Sequence, residues 1–390
     1  MELADIFRQY GPGYRQTHPL PASQHQLMRA IEHCRTAALA GHVEQCSRDS
    51  CAHTRNSYNS CRNRHCPKCQ APARRKWLAQ RKAELLPVPY FHVVFTLPAP
   101  LRCIAFQNKA VMYDLLFRSA ADTLLTIARD PRHLGAEIGF FGILHTWGQN
   151  LQHHPHVHFV VPGGGLSSDR QHWMRPRRPR FLVPVRVLAA LFRRLLLAAV
   201  QAAFAQRKLQ FFSELQPLQD ASAFAAYLKP LANIAWVVHA KPPFGGPQQV
   251  LAYLGRYTHR VAISNDRLLG CANGQVSFQW KDYRDRSRSK TMTLDAEEFI
   301  RRFLLHALPS GFQRIRYYGF LTNMHRRRNL ELCRRLLTAD PTQLLPDIAP
   351  AETDEILLNR GTRCPVCGVG LMVRLQRLLP LTRVAAVDSS

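Results

Sequence analysis

Two histidines separated by one hydrophobic residue, His156-Val157-His158, sit in a run that admits few conformations. The residues that follow, Phe159, Val160 and Val161, are aromatic or β-branched, and Pro162 with three glycines ends the run. It therefore reads as a strand. Alternation along a strand turns His156 and His158 to one face and Val157 into the core. Two imidazoles side by side on a strand are a preformed half of a metal site. A second apolar run, Gly139 to Trp147, is placed to pair antiparallel with the first and brings His145 as a third ligand. His154 competes for that role at two-residue spacing, although Pro155 distorts its end of the strand. A lone His-x-His is often only a packed or solvated pair. The reading therefore needs support from the rest of the chain.

Charge supplies the first support. The 390 residues carry 53 Lys and Arg against 26 acids, a formal net charge of +27. Such an excess points to a polyanion, most often nucleic acid. A membrane surface is the weaker alternative, because no uninterrupted apolar run of about 18 residues is expected. Val187 to Ala205 comes nearest, but Arg193 and Arg194 break it and it reads as an amphipathic helix. The opening Met-Glu-Leu-Ala-Asp lacks the basic and apolar regions of a secretory signal, so a cytoplasmic protein is expected. In that compartment 11 cysteines favour metal binding over disulfides.

Five of those cysteines fall between Cys46 and Cys69. Cys66-Pro-Lys-Cys69 is a knuckle, a tight turn that aims two thiolates at one ion, and a second pair completes the tetrahedron. The expected structural zinc set is Cys46, Cys51, Cys66 and Cys69, with Cys61 as a substitute. Arg62, Arg64, Lys68, Arg74, Arg75, Lys76, Arg81 and Lys82 crowd the same stretch, which reads as a basic zinc ribbon that touches phosphates. Cys364-Pro-Val-Cys367 is half of another knuckle with no evident partner pair.

The remaining chain sets the architecture. Residues 1–40 read as helical, with turn signals at Gly11-Pro12-Gly13 and Pro19-Leu20-Pro21. Pro87 to Leu97 is an apolar strand, Ile104 to Arg129 an amphipathic helix, and the two histidine-bearing strands follow. Strand, helix and two adjacent strands make the first half of a ferredoxin-like α+β unit. Residues 170–180 form a basic loop with one aromatic, Trp173, and read either as a phosphate-and-base contact or as a solvated loop. Helices near 187–207 and 221–228 lead to a strand at Ile234 to His239, and strands at Gln275–Lys281 and Lys290–Leu294 precede a helix from Asp295 to Ala307. Four segments are expected. Residues 1–86 form the helical and zinc-binding DNA-contact module, 87–265 the α+β core with a helical insertion, 266–340 a basic C-terminal region, and 341–390 a linker and tail with the second knuckle.

Acid distribution selects the chemistry. Between Glu137 and Glu214 the sole carboxylate is Asp169, and between Asp220 and Asp266 there is none. A two-metal nuclease needs clustered Asp and Glu around its ions. Here the neighbourhood offers imidazoles and phenols instead. Gln248 to Arg260 reads as a short helix, and Tyr253 and Tyr257 share one face of it beside Arg256, His259 and Arg260. A tyrosine oxygen that attacks phosphorus conserves the phosphodiester's energy in a phosphotyrosine. Two tyrosines on one face allow one to hold a cleaved strand while the other attacks.

Taken together, Tyr58 to Cys69, Val88 to Pro98, His145 to Gly165 and Tyr253 to Ser264 resemble the two-tyrosine, His-hydrophobic-His (HUH) rolling-circle transposases of bacterial insertion sequences. The resemblance covers roughly residues 30–330. It implies a ferredoxin-like nuclease core and cleavage of single-stranded DNA at transposon ends and target. It also implies a 5′-phosphotyrosine intermediate and a divalent cation, Mg²⁺ or Mn²⁺. It assigns His156 and His158 to the cation and Tyr253 and Tyr257 to nucleophilic attack; Arg62, Arg64, Arg74, Arg75, Arg256 and Arg260 are the expected DNA contacts. The implied location is the bacterial cytoplasm, at the nucleoid. An all-imidazole site suits Mn²⁺ or Zn²⁺ better than Mg²⁺. Two other classes fit the same residues: a replication initiator or relaxase, and a non-catalytic zinc-ribbon DNA-binding protein.

Overall fold

The computed structural model describes residues 1–178, 183–241, 262–282, 285, 288–339 and 363–380. Two compact units emerge, each assembled from distant parts of the chain. One takes Met1–Ala73, His259–Leu304 and Ile348–Ser390; the other takes Arg74–Thr258 and Leu305–Asp347. Residues 266–340, expected as one region, are thus shared out at Leu304.

In the first unit, α1 (Leu3–Thr17) runs through Gly11-Pro12-Gly13, where a turn is expected. Packing explains the difference. Leu3, Ile6, Phe7 and Tyr14 are buried along one stripe of α1. Gly11 lets that helix close on α2 (Ala22–Glu32): a Cβ there would press on Glu32 Oε1 at 2.5 Å. Burying four such side chains at about 1.5–3 kcal/mol each outweighs the ~3 kcal/mol cost of an interior proline. Pro19-Leu20-Pro21 does separate the helices, with Pro21 as the N-cap of α2.

A hairpin follows, β1 (Gly41–Cys46) and β2 (Thr54–Tyr58), paired from Gly41 with Tyr58 to Gln45 with Thr54. The other edge of β1 is taken by β13 (Met372–Leu378), from the far end of the sequence. Helix α3 (Pro67–Lys82) begins inside the knuckle. A three-stranded meander, β9 (Leu268–Ala272), β10 (Gln275–Asp282) and β11 (Arg288–Asp295), leads into α8 (Ala296–Leu305). That segment packs on the N-terminal helices: Phe303 meets Phe7 edge-on at 5.4 Å, and Leu3 N donates to Asn265 Oδ1 at 3.1 Å.

The second unit is built on an antiparallel sheet of five strands. They are β3 (Tyr90–Thr96), β4 (Gly139–Trp147), β5 (His153–Pro162), β8 (Val238–Lys241) and β12 (Ile315–Gly319), ordered β12-β4-β5-β3-β8. Helices α4 (Leu101–Gln107) and α5 (Lys109–Arg129) connect β3 to β4. The single helix expected from Ile104 divides at Asn108, whose side-chain amide donates to the Ile104 and Gln210 carbonyls. After the ribbon β6 (Gly165–Leu166) and β7 (Trp173–Met174), helices α6 (Val185–Ala205) and α7 (Ala221–Leu228) lead to β8.

Register decides which residues face which layer. Val157, Phe159 and Val161 of β5 join Phe91, Val93 and Phe95 of β3, Phe140 and Leu144 of β4, and the inner stripes of α5 and α6 in one large core. By length and composition α6 is apolar enough to cross a membrane, since Arg193 and Arg194 do not offset the leucines and alanines around them. It packs as a core helix through Leu188, Phe192, Leu196 and Val200. On the sheet's opposite face, Tyr90, Phe141, Ile143 and Val160 are covered by Leu330, Cys333 and Leu337 of α9 (Arg326–Thr338). Trp173, a candidate base contact, is 6% exposed and packs edge-on to Phe320 in this same layer. The pleat turns its indole inward.

Candidate functional site

The second face of the sheet continues past Ile143 and Val160 as a row of imidazoles. In the ladder His145 lies directly opposite His156, while His158 lies between Ile143 and Val94. Ring centroids are 5.5 Å apart for His145 and His156, 4.5 Å for His145 and His158, and 4.7 Å for His156 and His158. One nitrogen from each lies within 4.8 Å of the others, so the three converge on a volume that one ion can fill. His145 and His158 are buried and His156 half-buried, which leaves access from the His156 side. His154, the rival ligand, stands beside His156 at 5.2 Å but is not in the converging group.

Backbone and neighbours fix how these rings present themselves. His156 Nδ1 lies 2.6 Å from the His154 carbonyl oxygen, which only accepts, so Nδ1 carries the proton and Nε2 keeps its lone pair. Burial pushes the His156 pKa down to about 4, and the Arg102 charge acts in the same direction, so the ring is neutral at pH 7. His158 Nδ1 is 2.8 Å from Nε2 of His92, leaving Nε2 of His158 as the nitrogen to offer an ion. His92 itself is held down to about 3, by burial first and then by Lys241, His156 and His239. Its role escapes a reading of motifs because His92 lies 64 residues from His156 in sequence. The available signal is one imidazole in an otherwise apolar strand, Tyr90 to Thr96. A three-imidazole set fits a divalent first-row ion.

The cysteines separate into two groups where one is expected. Cys66 and Cys69 converge with Cys34 and Cys61; Cys46 and Cys51 converge with Cys364 and Cys367. The expected set of Cys46, Cys51, Cys66 and Cys69 does not meet, because the β1–β2 hairpin holds its pairs apart. Cys46 and Cys51 flank the hairpin tip, whereas Cys34 precedes β1 and Cys61 follows β2 at the open end. Five residues of strand place the ends roughly 17 Å apart. In the first group the Sγ separations are 3.6 Å for Cys34 and Cys69, 3.6 Å for Cys34 and Cys66, and 3.5 Å for Cys61 and Cys69. A tetrahedron with Zn–S bonds of about 2.3 Å has edges of roughly 3.8 Å, so the thiols stand as zinc ligands would. Cys34 could have been found by counting in fours: two isolated pairs make one set, and Cys61, Cys66 and Cys69 need a fourth.

Of the expected DNA contacts, Arg62, Arg74 and Arg75 are exposed, and Arg64 is half-buried. Cations near the C-terminus are more committed. Arg316 pairs with Asp114 at 2.6 Å, and Arg326 lies 3.3 Å from Glu84 and 4.2 Å from the centre of the Tyr317 ring. Tyr253, Tyr257, Arg256, His259 and Arg260 lie outside the described residues.

Residues 139–329 match a family model described as "Putative transposase", and residues 6–97 one described as "Transposase zinc-binding domain". The chain is 58% identical over 380 residues to "Putative transposase y4qJ" of Sinorhizobium fredii, covering 96% of this chain and 95% of that protein. It is 29% identical over 357 residues to "Transposase for insertion sequence element IS801" of Pseudomonas savastanoi pv. phaseolicola, covering 87% of this chain and 80% of that one. No solved structure matches the chain significantly.

Proposed function

Because the chain belongs to the transposase family of insertion element IS801, and so acts on DNA, we propose that it cuts and rejoins single-stranded DNA through tyrosine in rolling-circle transposition. The observation that carries this reading is the convergence of His145, His156 and His158 on one face of the sheet. Strand order supports it as well. Taken as β3-helix-β4-β5-helix-β8, the sheet runs fourth, first, third, second, with every neighbour antiparallel, which is the order of a ferredoxin-like nuclease core.

In this reading Tyr253 or Tyr257 attacks phosphorus through its phenolic oxygen. The bond from phosphorus to the 3′ oxygen breaks, the 5′ phosphate stays on the tyrosine, and the 3′ oxygen leaves as a hydroxyl after taking a proton. A divalent cation held by the imidazoles, Mn²⁺ or Mg²⁺, supplies Lewis-acid stabilisation of charge on the phosphate. The chain's own part is to keep His156 neutral and to hold the rings of His156 and His158 in place through the His154 carbonyl and His92, before any ion or DNA arrives. The exposed arginines of the N-terminal module, Arg62, Arg74 and Arg75, neutralise the backbone of the bound strand. Both relatives are named transposases, which favours this reading over a replication initiator or relaxase.

Labelled single-stranded DNA, incubated with full-length protein and Mn²⁺, should yield a covalent adduct that survives denaturation. The Tyr253→Phe, Tyr257→Phe double variant should form none. Cleavage at the wild-type rate by that variant would overturn the tyrosine mechanism and leave the family assignment intact.

A further inference from the structure

The C-terminal knuckle is not an orphan. We infer that Cys46, Cys51, Cys364 and Cys367 hold a second structural zinc ion, separate from that of Cys34, Cys61, Cys66 and Cys69, which clips the knuckle to the tip of the β1–β2 hairpin. All four Sγ atoms lie within 4.8 Å of one another. Cys46 is 3.7 Å from Cys367, and Cys51 is 3.8 Å from Cys364, close to the roughly 3.8 Å edges of a zinc tetrathiolate. Cys46 and Cys364 are 5% and 1% exposed. All four are free thiols.

The surroundings are those of a thiolate site rather than a chance cluster. The Gly370 amide donates to Cys367 Sγ at 3.3 Å, a bond that favours the ionised sulfur. The knuckle is closed on itself by Cys364 N to Gly370 O at 2.7 Å and Gly368 N to Cys364 O at 2.9 Å. Gly370 is also the residue that makes room: a Cβ there would collide with Cys46 Sγ. Ser47 N donates to Leu371 O at 2.8 Å, and Leu371 N donates to Ser47 Oγ at 3.0 Å, so the knuckle docks directly on the hairpin tip.

Packing alone does not hold this segment. The apolar cluster beneath it consists of Cys46, Cys364 and Met372, with Cys51 and Cys367 at its edge. Along β13, Val373 is 53% and Leu375 65% exposed. A peripheral strand with so little buried surface is marginal by itself, and small modules of this kind are ordinarily stapled by a metal. The ion closes the loop between residues 313 and 321 positions apart in sequence.

Zinc counted on purified full-length protein tests the idea without DNA, so the outcome is independent of the tyrosine chemistry. Two zinc ions per chain are expected, with all-sulfur coordination by X-ray absorption, and one in the Cys364→Ser, Cys367→Ser double variant. Gly370→Ala keeps every thiol yet should lose the same single ion and expose residues 363–380 to protease. One sulfur-coordinated zinc per wild-type chain, or two in the double variant, overturns the inference. Should the double variant fail to fold, the wild-type count still decides.

Discussion

His92 Nε2 lies 2.8 Å from His158 Nδ1, with the two rings 5.0 Å apart and within 7° of parallel. A neutral His158 that offers Nε2 to an ion carries its proton on Nδ1, and His92 accepts it. Outer partners of this type orient the ligand, and losing one typically costs about 10–100-fold in metal affinity. His92→Phe should weaken Mn²⁺ binding by about that factor while His158 remains in place. His92→Gln, which keeps an acceptor, should recover part of the loss. Isothermal titration of both variants reads the difference; equal affinity in His92→Phe and wild type would reduce His92 to packing.

His145 stands opposite His156 in the ladder, and its ring stacks on Trp147 at 4.7 Å. As a third ligand it should matter nearly as much as the other two. His145→Ala, His156→Ala and His158→Ala should each abolish metal-dependent cleavage and leave the sulfur-coordinated zinc unchanged, because the cysteine groups belong to the other unit. If His145→Ala retains cleavage while the other two lose it, His145 serves only to pack against Trp147.

Arg74 and Arg75 are exposed on α3. For a single strand, each phosphate contact contributes about 0.7 to the log–log salt slope. Replacing both with alanine should therefore make the slope shallower by about 1.4. Anisotropy titrations of labelled single-stranded DNA across a salt series measure it. An unchanged slope would move the interface elsewhere.

His153 sits three residues before His156, its Nε2 2.8 Å from the Tyr113 hydroxyl. Burial, aided by the Lys109 and Arg102 charges, lowers its pKa to about 4. The unfolded chain, with an ordinary value near 6.5, binds a proton that the folded chain refuses between those limits. Stability from this residue is complete above about pH 6.5 and is lost as pH falls towards 4. Thermal melts from pH 7 to 4 should show a smaller decline for His153→Gln than for wild type. Parallel declines would show that other groups carry the acid sensitivity.

The sheet and its imidazoles were legible because alternation is a local property. The pleat that sends Val157 into the large core sends His156 and His158 to the sheet's other face, and the apolar run ending in Trp147 could pair in only a few ways. What stayed hidden was set by contacts distant in sequence. His92 looks like one polar residue in an apolar strand until β3 is known to lie beside β5. Cys34 has no motif spacing, and the Cys364 knuckle looks unpartnered until β13 is seen to pair with β1. Gly11-Pro12-Gly13 misled for the opposite reason. A strong local signal was overruled by the stripe Leu3, Ile6, Phe7 and Tyr14 packed beneath it.

The two cysteine groups also differ in when they can be completed. Cys34, Cys61, Cys66 and Cys69 are all made within the first 69 residues of synthesis. Cys46 and Cys51 must wait for partners more than 300 residues downstream. At roughly 5–20 residues per second that delay lasts about 15–60 s. Throughout it the growing polypeptide presents two open thiols at a hairpin tip, within reach of oxidants and of competing soft metals. A ribosome that stalls or shifts frame after codon 340 but before codon 364 releases a product whose first cysteine group is sealed and whose second can never be. Such a product still carries a complete sheet and histidine row, distinguishable from the finished protein by its hairpin tip.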